Sequence, residues 1–199
     1  LTGTAFNINN SFASAGTTAF TNSGTVTKNA TGAITSTGAF STTGNVNLAN
    51  NITTTNTDLT IGGNLVIAEA TAPTLSTGAG AGNILVSGTT NGTAAGAAES
   101  LTALAGTGNV TFTGNVGNNT DALELEALTI TSAATTLFSG KIELANALTQ
   151  SAGSVATTFA DTVNVGSAAL TGTAFNINNS FASAGTTAFT NSGTVTKNA

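Results

Sequence analysis

The sequence predicts an all-β chain wound as a right-handed parallel β-solenoid, or β-helix, of rungs roughly 20 to 25 residues long set in a tandem array. Three observations predict it: a hydrophobic period of two in almost every readable segment, a looser recurrence at about the length of one rung, and a thirty-residue segment that occurs twice.

The repeat comes first because it sets the organisation. Residues 1–30 read LTGTAFNINNSFASAGTTAFTNSGTVTKNA, and residues 170–199 carry the same letters without substitution, so Leu170 stands where Leu1 stood. Even the interchangeable Ser, Thr and Ala positions agree. The chain therefore reads as a window on a longer array, with residues 1–169 as one full unit of about seven or eight rungs and 170–199 as the start of the next.

The period of two defines strands. In Gly108 to Val116, Val110 and Phe112 lie on one face and Thr111 and Thr113 on the other. The same alternation appears in Phe6 to Asn9, Asn45 to Leu48, Asp58 to Ile61, Leu123 to Glu126, Leu128 to Thr131, Lys141 to Leu144 and Val163 to Val165. Short runs of this kind, rich in Thr, Val, Ile and Phe and separated by Gly, Asn and Ser, are strand signals, each with one buried face. Gly92 to Gly106 is the one stretch open to a helical reading, and its uninterrupted part, Ala97 to Leu104, is expected as a loop or a brief turn of helix.

The rung period pairs an aromatic or Ile with a branched aliphatic a few residues later: Phe20 with Val26, Phe40 with Val46, Ile61 with Leu65, Phe112 with Val116, Phe138 with Ile142 and Phe159 with Val163. Between Ile61 and Phe112 two rungs fit, and Ile84 marks the one between. Stacked inward positions would make a narrow core of Val, Ile, Leu, Ala and occasional Phe, which accounts for the missing Trp, Tyr and Met. Gly and Asn suit the corners, where Asn amides can bond one rung to the next. Pro73, the single proline, separates two strand-rich regions.

Composition narrows the class further. The chain has no Cys, His, Met, Trp, Tyr or Arg, and charged residues are 6% of it, with a net charge of −5. Ordinary globular domains carry about 25% charge. The shortage implies a surface hydrated by Thr, Ser and Asn or packed against other material. Disorder is disfavoured by the 40% hydrophobic content. Nucleic acid is disfavoured as a partner by the lack of basic clusters, and no stretch approaches the apolar length of a membrane helix. A membrane barrel would use Tyr and Trp girdles, and immunoglobulin-like sandwiches would show a half-period repeat.

The runs GNVTFTGNVG, ALTITSAATTLFSGKIEL, ALTQSAGSVATTF and GSAALTGTAFNINN resemble the β-strand repeats of very large bacterial surface proteins of the filamentous haemagglutinin type, including repeat adhesins and matrix proteins. The resemblance implies secretion to the cell surface and a role in adhesion, a sheath or an extracellular fibre. It carries no functional residue over.

The residues with chemistry to offer are few. Asp121, Glu124 and Glu126, with Lys141 and Glu143, form the richest charge group, and adjacent rungs would bring Lys141 near the carboxylates. A Ca²⁺ site or an acid/base pair is the functional reading, and a solvated face with a weak ion pair is the expected one. The remaining acids, Asp58, Glu69, Glu99 and Asp161, are spread along the unit, and nucleophilic catalysis lacks a His base. Thr-x-Thr at Thr25 to Thr27, Thr111 to Thr113 and Thr129 to Thr131 invites an ice-binding reading, which would need the tripeptide at one place on every rung. The Asn-x-Ser/Thr sequons are expected by chance in a chain so rich in these residues. The sequence thus predicts a non-enzymatic chain with no catalytic, metal or cofactor residue. It is expected to be a structural segment of a secreted bacterial filament, sheath or surface stalk. Its partners would be identical units, laterally associated filaments, or a surface glycan or receptor if it is the stalk of an adhesin.

Overall fold

The computed structural model describes residues 1–93, 98–118 and 125–198. They form an all-β solenoid of about nine turns built from parallel sheets, with no helix among the described residues. Each turn visits three faces in order.

Face one is a ten-stranded sheet: Thr2–Gly3, Thr18–Asn22, Phe40–Thr42, Leu59–Ile61, Ile84–Val86, Val110–Phe112, Thr135–Phe138, Ala156–Phe159, Ala174–Ile177 and Val195–Lys197. Face two stacks Phe6–Ile8, Thr25–Lys28, Asn45–Leu48, Leu65–Ile67 and Thr90–Asn91. It continues through single bridges at Val116 to Ile142, then to Val163 and Phe181. Face three stacks Phe12–Ser14, Ile34–Ser36, Ile52–Thr54, Thr74–Ser76, Ser100–Leu104 and Ala127–Ser132, then the later parts of Ile142–Gln150 and Val163–Gly172, and last Thr187–Asn191. The two long strands bend through the corner between faces two and three, where the register slips between Leu144 and Ala147.

The alternating sequence dictates which side chains fill the interior. Leu59 and Ile61 are buried while Thr60 is not, and the same holds for Val110 and Phe112 around Thr111. One face-one column runs Phe20, Thr42, Ile61, Val86, Phe112, Phe138, Phe159 and Ile177. Successive members are unevenly spaced along the chain, closest from Phe159 to Ile177 and widest on the two steps from Val86 through Phe112 to Phe138, so loops absorb the variation while the ladders stay in step. The facing column on face two is Val26, Val46, Leu65, Thr90, Val116, Ile142 and Val163. All but Thr90 are the aliphatic partners that the rung period picks out.

Three expectations need correction. Phe40 and Ile84 belong to the neighbouring column with Leu59, two residues short of Thr42 and Val86, because β alternation offers two inward sites per strand and an apolar residue at either looks alike. Ser100–Leu104, within the stretch expected as loop or helix, is a strand with Leu101 and Ala103 buried, since pairing to Thr74–Ser76 and Ala127–Ser132 overrides the local preference of Ala and Leu. Ala97 lies outside the described residues. Phe is also a principal filler, not an occasional one. The rings of Phe112, Phe138 and Phe159 stack along the axis at 5.6 and 5.4 Å between centroids, with interplanar angles of 3° and 1°, a favourable arrangement that adds to about 1.5–3 kcal/mol for burying each ring.

Corner Asn residues fasten one turn to the next, mostly by accepting from a backbone N–H above. Asn45 Oδ1 accepts from Asn64 N at 2.9 Å and Asn64 Oδ1 from Thr89 N at 3.0 Å. Before face one, Asp58 Oδ1 accepts from Asn83 N (2.8 Å), Asn83 Oδ1 from Asn109 N (3.0 Å) and Asn109 Oδ1 from Thr135 N (3.2 Å). Gly63 makes room for this packing, since a Cβ there would sit 2.6 Å from Asn45 Oδ1. Pro73 stands immediately before Thr74–Ser76, where it needs no donor, and its carbonyl accepts from Thr102 N at 3.0 Å.

Candidate functional site

On face two, three consecutive turns present outward side chains in two short columns. Because Thr90, Val116 and Ile142 are bridged, the positions before them, Thr89, Asn115 and Lys141, lie in register, as do those after them, Asn91, Gly117 and Glu143. These six residues and Asn118 line a hollow of about 250 Å³. Gly117 creates it: the residue has φ +73°, and a Cβ would meet Glu143 O at 1.9 Å, so no side chain can fill the middle of the grid.

The hollow is polar. Asn115 Oδ1 accepts from Lys141 N at 3.1 Å. Asn91 Nδ2 reaches Thr89 Oγ1 at 3.5 Å, while its Oδ1 is buried with no hydrogen-bond partner among the described residues. The arrangement offers amide and hydroxyl groups beside one ammonium and one carboxylate, which suits hydrogen bonding to a neutral polar surface.

The charge group expected at Asp121, Glu124, Glu126, Lys141 and Glu143 is only partly brought together. Asp121 and Glu124 lie outside the described residues. The two acidic segments do sit on adjacent turns, with Leu125 bridged to Leu144, and Glu126 Oε1 accepts from Asn146 Nδ2 at 2.7 Å. Lys141 immediately precedes the strand Ile142–Gln150 and stands above Asn115, because the register places Ile142 over Val116. Among the described residues no group of three or more acidic side chains is placed to hold a metal ion.

The other acids serve the stack individually. Asp58 accepts from Asn83, and Asp161 Oδ1 accepts from Thr162 N (2.7 Å) and from Asn179 Nδ2 on the next turn (3.3 Å). Glu69 is exposed. Glu99 is fully buried: Oε1 accepts from Thr93 Oγ1 at 3.0 Å, and Oε2 has no partner among the described residues. The three Thr-x-Thr motifs fall on three different faces, Thr25 to Thr27 on face two, Thr111 to Thr113 on face one and Thr129 to Thr131 on face three. Together they form no flat array.

Sequence reasoning missed Lys28. It occupies an inward column between Ile8 and Leu48, and its ammonium turns into the corner to donate to the carbonyls of Asn29 (2.6 Å) and Thr31 (2.7 Å), with Ile8 O at 3.5 Å. Burial pushes its pKa below the ordinary lysine value. The signal was available, since Val26 and Lys28 share a strand face at spacing two.

Comparison with protein families, with curated proteins and with solved structures finds no match to this chain. Among the described residues no helix is long and apolar enough to cross a membrane.

Proposed function

We propose that this chain is a structural segment of a secreted bacterial fibre, sheath or surface stalk, akin to the repeat regions of filamentous haemagglutinin-type proteins, and that it works through its length and not through a reactive site. One observation carries the reading. The second copy of the thirty-residue segment adds its strands to the ladders already running, with Ala174–Ile177 on Ala156–Phe159 and Phe181–Ser183 on Val163–Val165. A sequence that recurs and simply extends a stack is what an elongating element needs. Parallel ladders along the axis would resist extension, and a nearly uncharged Thr, Asn and Ser surface would let filaments lie side by side.

Electron microscopy of native material tests this. The reading expects thin unbranched filaments that bundle without added ligand. Discrete compact particles, or turnover of a polysaccharide, would refute it. The polar hollow favours a second reading, the stalk of an adhesin that holds a surface glycan or receptor. Saturable binding to one glycan, lost when Asn91 and Asn115 are both replaced by Ala, would select it.

A further inference from the structure

The identical segments do not occupy the same faces. Thr2 lies on face one and its counterpart Thr171 on face three; Phe6–Ile8 lies on face two and Phe175 to Ile177 on face one; Phe12–Ser14 lies on face three and Phe181–Ser183 on face two. Thr18–Asn22, on face one, likewise reappears as Thr187–Asn191 on face three. The pairings inside the segment are nevertheless the same: Thr2 with Thr21 as Thr171 with Thr190, and Phe6 with Val26 as Phe175 with Val195. The local fold is retained while its placement steps back by one face.

Counting strand positions from Thr2 to Thr171 gives seven complete turns of three and two more, 23 in all, so one unit winds 7⅔ turns. We infer that consecutive units, if they form the array on which the proposed function rests, are related by a screw of one face per unit, with the starting phase restored only after three units and 23 whole turns. At about 4.8 Å per layer the step is roughly 37 Å and the full period roughly 110 Å.

This phase governs what the filament presents. A unit that wound eight turns would line up every copy of the Asn91, Asn115 and Lys141 hollow along one side, giving a polar stripe and a single bonding direction. At 7⅔ turns the hollow passes to a different face in each unit, so three units display it all round the axis. Lateral partners of the same chemistry, other copies of this filament, are then met from three sides. The product is a bundle and not a ribbon.

The chain contains no cysteine, so paired substitutions on outward positions of adjacent turns report the phase directly. T158C/N176C joins two residues that are in register here, and N164C/A182C joins another such pair. If the second copy kept the phase of the first, Asn176 would instead stand over Asn164 and Ala182 over Ala169. The inference expects rapid, near-complete disulfide formation in T158C/N176C and N164C/A182C, and at least tenfold slower formation in N164C/N176C and A169C/A182C. The reverse pattern would overturn the screw while leaving the fibre reading intact. Failure of all four pairs would overturn both.

Discussion

The two copies of the thirty-residue segment make a natural comparison, because sequence is constant while position along the stack, and with it the face each strand occupies, varies. In the first copy Phe6 and Ile8 are half-buried while Phe20, Val26 and Lys28 are buried; in the second, Phe175 and Ile177 are buried while Val195 and Lys197 are exposed. The pattern inverts because the first copy has its later strands inside the stack and the second its earlier ones. Burial in this fold is conferred by the neighbouring turn and not by the segment itself. A lone rung would have nothing to bury against, as expected for a quasi-one-dimensional architecture.

The comparison predicts unequal effects for equal substitutions. The largest belongs to Phe20, whose ring lies 5.0, 5.7 and 5.9 Å from those of Phe6, Phe12 and Phe40. Among the described residues Phe189 keeps only counterparts of the first two, Phe175 at 5.2 Å and Phe181 at 5.5 Å. F20A should cost about 3–5 kcal/mol in urea unfolding and F189A at most about 1–2 kcal/mol. Equal losses would break the argument.

Lys28 and Lys197 come next. K28M strands two corner carbonyls and should cost about 1–3 kcal/mol, while K197M should stay within about 0.5 kcal/mol. The sign of the pH effect follows from the lowered pKa of Lys28. Between that value and the ordinary lysine value the unfolded chain holds a proton that the folded chain has released, so stability rises with pH across the window. Below the window the buried ammonium carries its full desolvation cost, and above it the cost is gone. Unfolding midpoints measured from pH 7 to 11 should therefore show a slope in the parent that flattens in K28M and persists in K197M.

Gly16 and Gly185 sharpen the comparison from the middle of the segment. A Cβ on Gly16 meets nothing within 4 Å, whereas on Gly185 it would lie 2.9 Å from Gly166 O. G16A should be neutral or stabilising by up to about 1 kcal/mol, and G185A destabilising by about 1 kcal/mol or more. The smallest effect is a matched one. Asn29 donates to Asn9 at 2.7 Å and Asn198 to Asn178 at 2.6 Å, both on the surface. N29A and N198A should each shift thermal unfolding by no more than about 0.5 kcal/mol equivalent, and by the same amount.

Much of this architecture was legible in the sequence because a solenoid is built from local signals repeated. The period of two located strands such as Asn45–Leu48 and Leu59–Ile61, and the recurrence of Val26, Val46, Leu65, Val116, Ile142 and Val163 traced a true column. Thr90 escaped because its inward position carries a hydroxyl. Ser100–Leu104 escaped because its Ala and Leu content suits a helix when neighbouring turns are ignored. The hollow could not be read at all, since it depends on Gly117 registering between Asn91 on the turn before it and Glu143 on the turn after. Nor was the phase of the repeat readable from its length, because a unit divides into turns only once each loop is known.

The central claim is that turns stack in order, so distance along the axis counts turns and not residues. Double electron–electron resonance between single outward labels tests it, using Ser41 as one site and Thr60, Leu85, Thr111, Leu137, Thr158 and Asn176 in turn as the other, all in one registered column. The account predicts a backbone separation that grows by about 4.8 Å at each step, to roughly 29 Å for Asn176, whatever the intervening loop length. Distances that level off or shorten across the series would mean the chain folds back on itself, and would contradict the stack.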